Sequence, residues 1–193
     1  ENRLQPMLRI SPQLEKHFKD NDSELLELQF DNMYLSLTGA NSPTGISSKP
    51  IKFLFLDEVD KYPARAKKEA DPIKLATERT KTFPDRKIFV TSTPTLKTGH
   101  IWQELEKADE ERHYFVPCPH CGKLIELKFS QIKWSDDKSI PLVDRAERAF
   151  YVCQECGSVI TDAHKQQMLR AGKWKAIEKK TEFPKNIAFW MNT

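Results

Sequence analysis

All four cysteines of this 193-residue chain fall into two Cys-X-X-Cys pairs, Cys118/Cys121 and Cys153/Cys156, with none left over. Two intervening residues are poor spacing for an unstrained disulfide and good spacing for holding one metal ion. The pairs therefore point to zinc and a reducing cytoplasm rather than a disulfide framework. A glycine follows each second cysteine, Gly122 and Gly157. Glycine permits the positive φ of a tight knuckle whose backbone N–H groups can face thiolate sulfurs. Strand-like stretches flank the knuckles at 113–116, 124–129, 150–152 and 158–160. Two such hairpins with four thiolates describe a zinc ribbon. Between Cys121 and Cys153 lie 31 residues, more than the usual ~15–20. Residues 135–148, charged and containing Pro141, are expected as an inserted loop. His120 is expected to face solvent rather than metal. Thr161-Asp162 is predicted to cap a helix running to Ala171 and ended by Gly172. A closed four-cysteine site has no open position, so its role is structural.

The second informative run is Phe53-Leu54-Phe55-Leu56-Asp57-Glu58. Residues 51–56 read as a strand covered on both faces. In an ATPase the metal-binding acid ends such a buried strand, at the crevice that receives nucleotide. Asp57 fits the Mg²⁺ acid and Glu58 the group that orients the attacking water. One carboxylate suffices, because Mg²⁺ keeps most of its water. Residues 71–82 are predicted as a helix with Pro72 in its first turn. A second strand, 87–90, ends in Thr91-Ser92-Thr93-Pro94. A hydroxyl-rich strand end beside an acidic one suits γ-phosphate sensing or the coupling of hydrolysis to movement. Strand, helix, strand in this order argue for a parallel sheet with crossover helices. Taken singly, the two strings are equally well read as a polar strand end and a Thr-Pro loop entry.

No GxxxxGK[ST] phosphate loop occurs in the chain. The stretch Gly39-Ala40-Asn41-Ser42-Pro43-Thr44-Gly45 lacks the lysine and its following hydroxyl residue. Either the phosphate loop lies upstream of Glu1, or this is not a P-loop enzyme. Elsewhere, residues 4–18 have helical spacing interrupted at Ser11-Pro12, with a second helix expected to start at Pro12. Residues 25–38 read as a hairpin turning at Asp31-Asn32, 39–50 as a loop, and 99–112 as a helix. Hydrophobic residues make up 38% and charged residues 31%, a globular, hydrophilic balance. The net charge of +3 is too small to demonstrate a nucleic-acid partner. No apolar stretch approaches the ~18 residues of a membrane span. Lys173, Lys175, Lys179, Lys180 and Lys185 with Trp174 form a basic-aromatic tail, suited to nucleic acid or to ordinary solvation.

Several stretches together resemble one family. They are Gly39-Ala40-Asn41-Ser42-Pro43, Leu54-Phe55-Leu56-Asp57-Glu58-Val59-Asp60 with Tyr62-Pro63, Asp71-Pro72, Glu78-Arg79 and Ser92-Thr93-Pro94-Thr95. The cysteine segments 114–122 and 151–157 follow, then 187–192. In this order they resemble the large subunit of tailed-phage terminases of the lambda-type GpA family. The resemblance implies an ATP-driven motor that packages double-stranded DNA in the host bacterial cytoplasm. It also implies a C-terminal endonuclease, a small-subunit partner, the portal protein of the procapsid and a homo-oligomeric motor. It makes Asp57 the Mg-ATP acid, Glu58 catalytic, and Ser92, Thr93 and Pro94 the coupling motif. The sequence does not identify an arginine finger; Arg79 is read either as a candidate for one or as an ordinary helix-surface residue. On this reading the fold is a partial P-loop NTPase-like α/β sheet followed by a zinc-ribbon subdomain. Residues 1–112 are the latter part of the ATPase, 113–180 the ribbon, and 181–193 a linker towards the nuclease. The stretch by itself is expected not to hydrolyse ATP, and to expose a sheet edge that promotes self-association. Two alternatives stay open: a helicase or remodelling ATPase, and a non-enzymatic zinc-ribbon DNA-binding or assembly module.

Overall fold

The computed structural model describes residues 3–63 and 71–191. The chain divides into two compact units between Ile101 and Trp102, earlier than the expected boundary after residue 112. The described residues form a mixed α/β structure with two parallel strand pairs and a four-cysteine cluster.

The first unit opens with helix α1, Leu4–Ile10. The expected helix after Pro12 is only a 3-10 turn at Glu15–His17. Proline drives the residue before it out of the helical region, and Ser11 is extended (φ −90°, ψ 109°). Strands β1, Glu27–Gln29, and β2, Tyr34–Ser36, pair antiparallel with Leu28 opposite Leu35. Phe30 N–H donates to the Met33 carbonyl at 2.8 Å, closing the turn at Asp31-Asn32 as expected. Leu8, Leu28 and Phe30 form a small core, with Phe18 against Phe30.

The expected loop over 39–50 contains a short helix, α2, Pro43–Ser47. Its cap is Ser42, whose hydroxyl accepts from Gly45 N–H at 3.3 Å. Strand β3, Phe53–Leu56, is followed by α3, Pro72–Glu78, then β4, Lys87–Val90. Asp71 caps α3 by accepting from Ile73 N–H at 2.8 Å. β3 and β4 pair in parallel, with Leu56 opposite Val90. Leu54 and Leu56 join Ile46, Val59 and Ala76 in one core. Phe53 and Phe55 point the other way and are 48% and 65% exposed. The expectation of a strand covered on both faces therefore fails. α2 and α3 contribute core residues only to the Leu54/Leu56 side, and Phe55 stacks instead on Phe89 at 5.1 Å.

Helix α4 spans His100–Lys107 and stops short of the predicted Arg112. The chain becomes strand β5, Glu110–Pro117, whose Tyr, Phe and Val favour a pleated surface. In the second unit, β6 (Leu124–Glu126) pairs antiparallel with β5. The strands β7 (Ile132–Lys133), β8 (Phe150–Val152) and β9 (Val159–Ile160) form a second, antiparallel sheet. Helix α5, Leu142–Glu147, lies within the expected loop over 135–148. Helix α6, Lys165–Arg170, fills part of the helix predicted after Thr161. The basic-aromatic stretch is largely strand β10, Lys173–Lys179, antiparallel to β5. β11, Ile187–Trp190, lies parallel on the other edge of β5. Residues 187–190 thus belong to the sheet rather than to a linker; residues 192 and 193 of that segment lie outside the described residues. The core gathers Val116, Cys118, Ile125, Cys153, Ile160 and Met168. No described helix is long and apolar enough to cross a membrane.

Candidate metal centre and acidic strand end

The cysteine knuckles are near-copies of each other. Gly122 N–H donates to Cys118 O and Gly157 N–H to Cys153 O, both at 2.9 Å. Cys118 N–H donates to Lys123 O at 2.9 Å, and Cys153 N–H to Ser158 O at 3.0 Å. Gly122 and Gly157 both have φ 71°, the left-handed region that glycine enters without strain. These hairpins bring the Sγ atoms of Cys118, Cys121, Cys153 and Cys156 within 4.8 Å of one another. Cys118 and Cys156 sulfurs are 3.9 Å apart. A tetrahedral zinc with Zn–S near 2.3 Å sets sulfurs about 3.8 Å apart, so donor set and spacing fit that ion.

Hydrogen bonds from Ser158 hold the Cys156 thiol down at about 6. Lys123 N–H pulls Cys121 down, but burial and the neighbouring thiols push it up to about 11. Burial pushes Cys153 up as well. Metal binding would favour the thiolate form of its ligands. His120 is exposed, and its Nε2 lies 2.9 Å from Val159 O, outside the cluster. Glu155 N–H donates to Cys153 Sγ at 3.4 Å, and Cys156 Sγ lies 3.4 Å from Ser158 Oγ. Sequence reading missed Ser158; its position two residues after the last cysteine was the available signal.

The acidic site is built by register. Pairing Leu56 with Val90 sets Asp57 beside Thr91 at the C-terminal ends of two parallel strands. Thr91 Oγ1 donates to Asp57 Oδ1 at 2.7 Å. Thr91 N–H donates to Leu56 O, and Val59 N–H returns to Thr91 O. Asp57 and Thr91 line a cavity of ≈ 280 Å³ with Phe55, Leu56 and Phe89. Glu58 has φ 56° and ψ 44°, the single positive φ among described non-glycine residues. That conformation costs a non-glycine residue roughly 1–2 kcal/mol. Its Oε2 accepts from Lys61 Nζ at 2.9 Å, and both side chains reach solvent. Ser92 Oγ accepts from Asp60 N–H at 3.2 Å, whereas Thr93 and Pro94 are exposed. Arg79 is exposed at the C-terminal end of α3. Thr91 and Asp60 are functional candidates that the string LFLDE did not single out by itself, since their partners are 34 and 32 to 41 residues away.

Comparison with known proteins agrees with this picture. The family described as phage terminase large subunit gpA, ATPase domain, matches residues 1–174. A terminase large subunit from Enterobacteria phage P21 is 28% identical over 178 residues, covering 87% of this chain and 26% of the relative. The chain thus spans about a quarter of that relative's length. No solved structure matches. With the family match covering 174 of 193 residues, the chain belongs to the phage terminase large subunit gpA ATPase-domain family.

Proposed function

We propose that this chain is the latter part of the ATPase region of a DNA-packaging motor, followed by its zinc ribbon. The observation that carries the reading is the pair Asp57-Glu58 at the end of β3, hydrogen-bonded through Asp57 to the hydroxyl at the end of β4. In the complete protein the fold around β3 and β4 is P-loop NTPase-like. Asp57, exposed at the strand end and steadied by Thr91, is the residue to hold Mg²⁺. Bound Mg²⁺ neutralises charge developing on the transferred phosphoryl group. Glu58, free to leave Lys61 in solvent, accepts a proton from, or orients, the attacking water. Ser92, Thr93 and Pro94 report on the nucleotide and couple its turnover to movement. Cys118, Cys121, Cys153 and Cys156 hold zinc as a structural ion. The substrates are ATP and double-stranded DNA. The small subunit, the portal protein, further copies of the same chain and a nuclease beyond this segment complete the machine, in the host cytoplasm.

The test is Glu58→Gln in a full-length protein carrying this segment. ATP binding should persist while hydrolysis falls on the order of 10²-fold or more. Near-normal turnover removes Glu58 from the catalytic role. For the 193-residue chain, calorimetry with Mg-ATP should show no tight binding. The backbone cradle and lysine of a phosphate loop are missing from the sequence. Micromolar binding would instead direct attention to residues 39–45.

A further inference from the structure

Three segments of the first unit meet at one side chain, that of Asp60. Its Oδ1 accepts from Ile101 N–H at 2.8 Å. Its Oδ2 accepts from Thr95 N–H at 3.1 Å and lies 3.3 Å from Thr95 Oγ1. Its own N–H donates to Ser92 Oγ at 3.2 Å. The residues joined are far apart in sequence: the loop after β3, the loop after β4 and the first turn of α4.

The first turn of α4 has a donor that needs this carboxylate. The initial N–H groups of a helix have no intrahelical partner. Gly99, immediately before α4, has no side-chain oxygen to offer. A Cβ at Gly99 would lie 2.5 Å from Asp60 Oδ2 and 2.8 Å from Oδ1. The glycine therefore leaves room for an acceptor supplied from 41 residues away. Burial alone would raise the Asp60 carboxyl, but the Ile101 and Thr95 hydrogen bonds and nearby His100 hold it below its ordinary value. Both oxygens are engaged by protein donors, so Asp60 ties its own segment to the two others.

We propose that Asp60 is a positioning residue that locks the Asp57-Glu58 strand end, the Ser92–Pro94 loop and the start of α4 into one body. Movement of the hydroxyl loop is then transmitted to the two acids, and the acids cannot reorient without it. The functional half of this inference rests on reading those acids as a nucleotide site; the structural half does not.

Hydrogen exchange on the 193-residue chain tests the lock directly. Asp60→Asn keeps one carbonyl oxygen and loses the second acceptor. Exchange at Thr95 or Ile101 should rise about tenfold, the loss of one charge-assisted hydrogen bond, and residues 57–59 and 91–93 should loosen with them. Amides of β1 and β2 serve as the unchanged reference. Gly99→Ala, which displaces the same carboxylate, should reproduce the pattern. If only the start of α4 loosens, Asp60 is merely a helix cap and the proposal is overturned. Unchanged exchange in both variants overturns it too. In a full-length protein, Asp60→Asn should lower kcat with KM for ATP nearly unaltered; a raised KM with normal kcat contradicts positioning. A wild-type protein without ATPase activity would sink the nucleotide reading, while the exchange pattern would still decide the lock.

Discussion

The cysteine centre and the acidic strand end solve the same problem, placing a few polar side chains in register, by opposite means. Each knuckle is local: six residues, one glycine at φ 71° and two backbone hydrogen bonds fix where its sulfurs point. The strand end is assembled from residues 32 to 41 positions apart, through a parallel pairing, a backbone N–H bonded to Ser92, and a carboxylate shared by the loop after β4 and the first turn of α4. A local site depends on its own sequence and on an ion. A distributed site depends on the packing of the whole unit beneath it, here Leu54, Leu56, Val59 and Ala76. The two units should therefore fail under different insults.

The largest separation should come from removing a ligand. Structural zinc supplies ~10–16 kcal/mol of apparent binding energy to a small domain. Cys153→Ser, or a strong chelator, should expose the core of Val116, Ile125, Ile160 and Met168 while β3 and β4 keep their protection. Hydrogen exchange by peptide reads both units at once. Metal analysis of the unaltered protein should give about one zinc per chain. A uniform loss of protection across both units would break the contrast.

A smaller effect separates the two faces of β3. Leu54→Ala should destabilise the first unit by about 2–5 kcal/mol, the range for truncating a buried leucine. Phe55→Ala, 65% exposed, should cost far less in denaturant unfolding and should reduce self-association. Equal costs would mean that another surface covers the phenylalanine face in solution.

The smallest effect is a pH response in the second unit. His113 on β5 is held between Glu111 and Glu126, each 2.6 Å from one ring nitrogen, with Trp190 of β11 alongside. Burial pulls its pKa down, yet the two carboxylate hydrogen bonds hold it above the ordinary 6.5. A raised pKa in the folded state stabilises fully below 6.5 and loses that contribution as pH rises through the raised value. The thermal midpoint of this unit should drift down over that window, and His113→Gln should flatten the drift.

Legibility in the sequence follows the same division. The spacing and glycines of the cysteine pairs identified all four candidate ligands, because the geometry is written within each knuckle. The parallel pairing of β3 with β4 was also readable, from two short apolar runs around a proline-started helix. Sequence periodicity did not reveal that Phe53 and Phe55 would stand exposed, since a continuous apolar run does not say which neighbours are present. Nor did it separate the end of α4 from the start of β5. Charged residues at 104–112 suit an exposed helix face, whereas β5 is settled by pairing with β6, β10 and β11. Asp60 was unreadable as a lock because its partners, Thr95 and Ile101, become neighbours only after folding.

The left-handed backbone at Glu58 has a consequence for how this segment can evolve. Glycine is the substitution that best relaxes φ 56°, yet it deletes the carboxylate proposed for water activation. Selection for a sturdier fold and selection for turnover therefore pull this position in opposite directions. If Glu58 has the proposed role, a lineage relieved of that chemistry should drift towards glycine or asparagine at position 58 and gain stability as it did so. Retention of glutamate there, across relatives otherwise free to vary, would record continued demand for its chemistry.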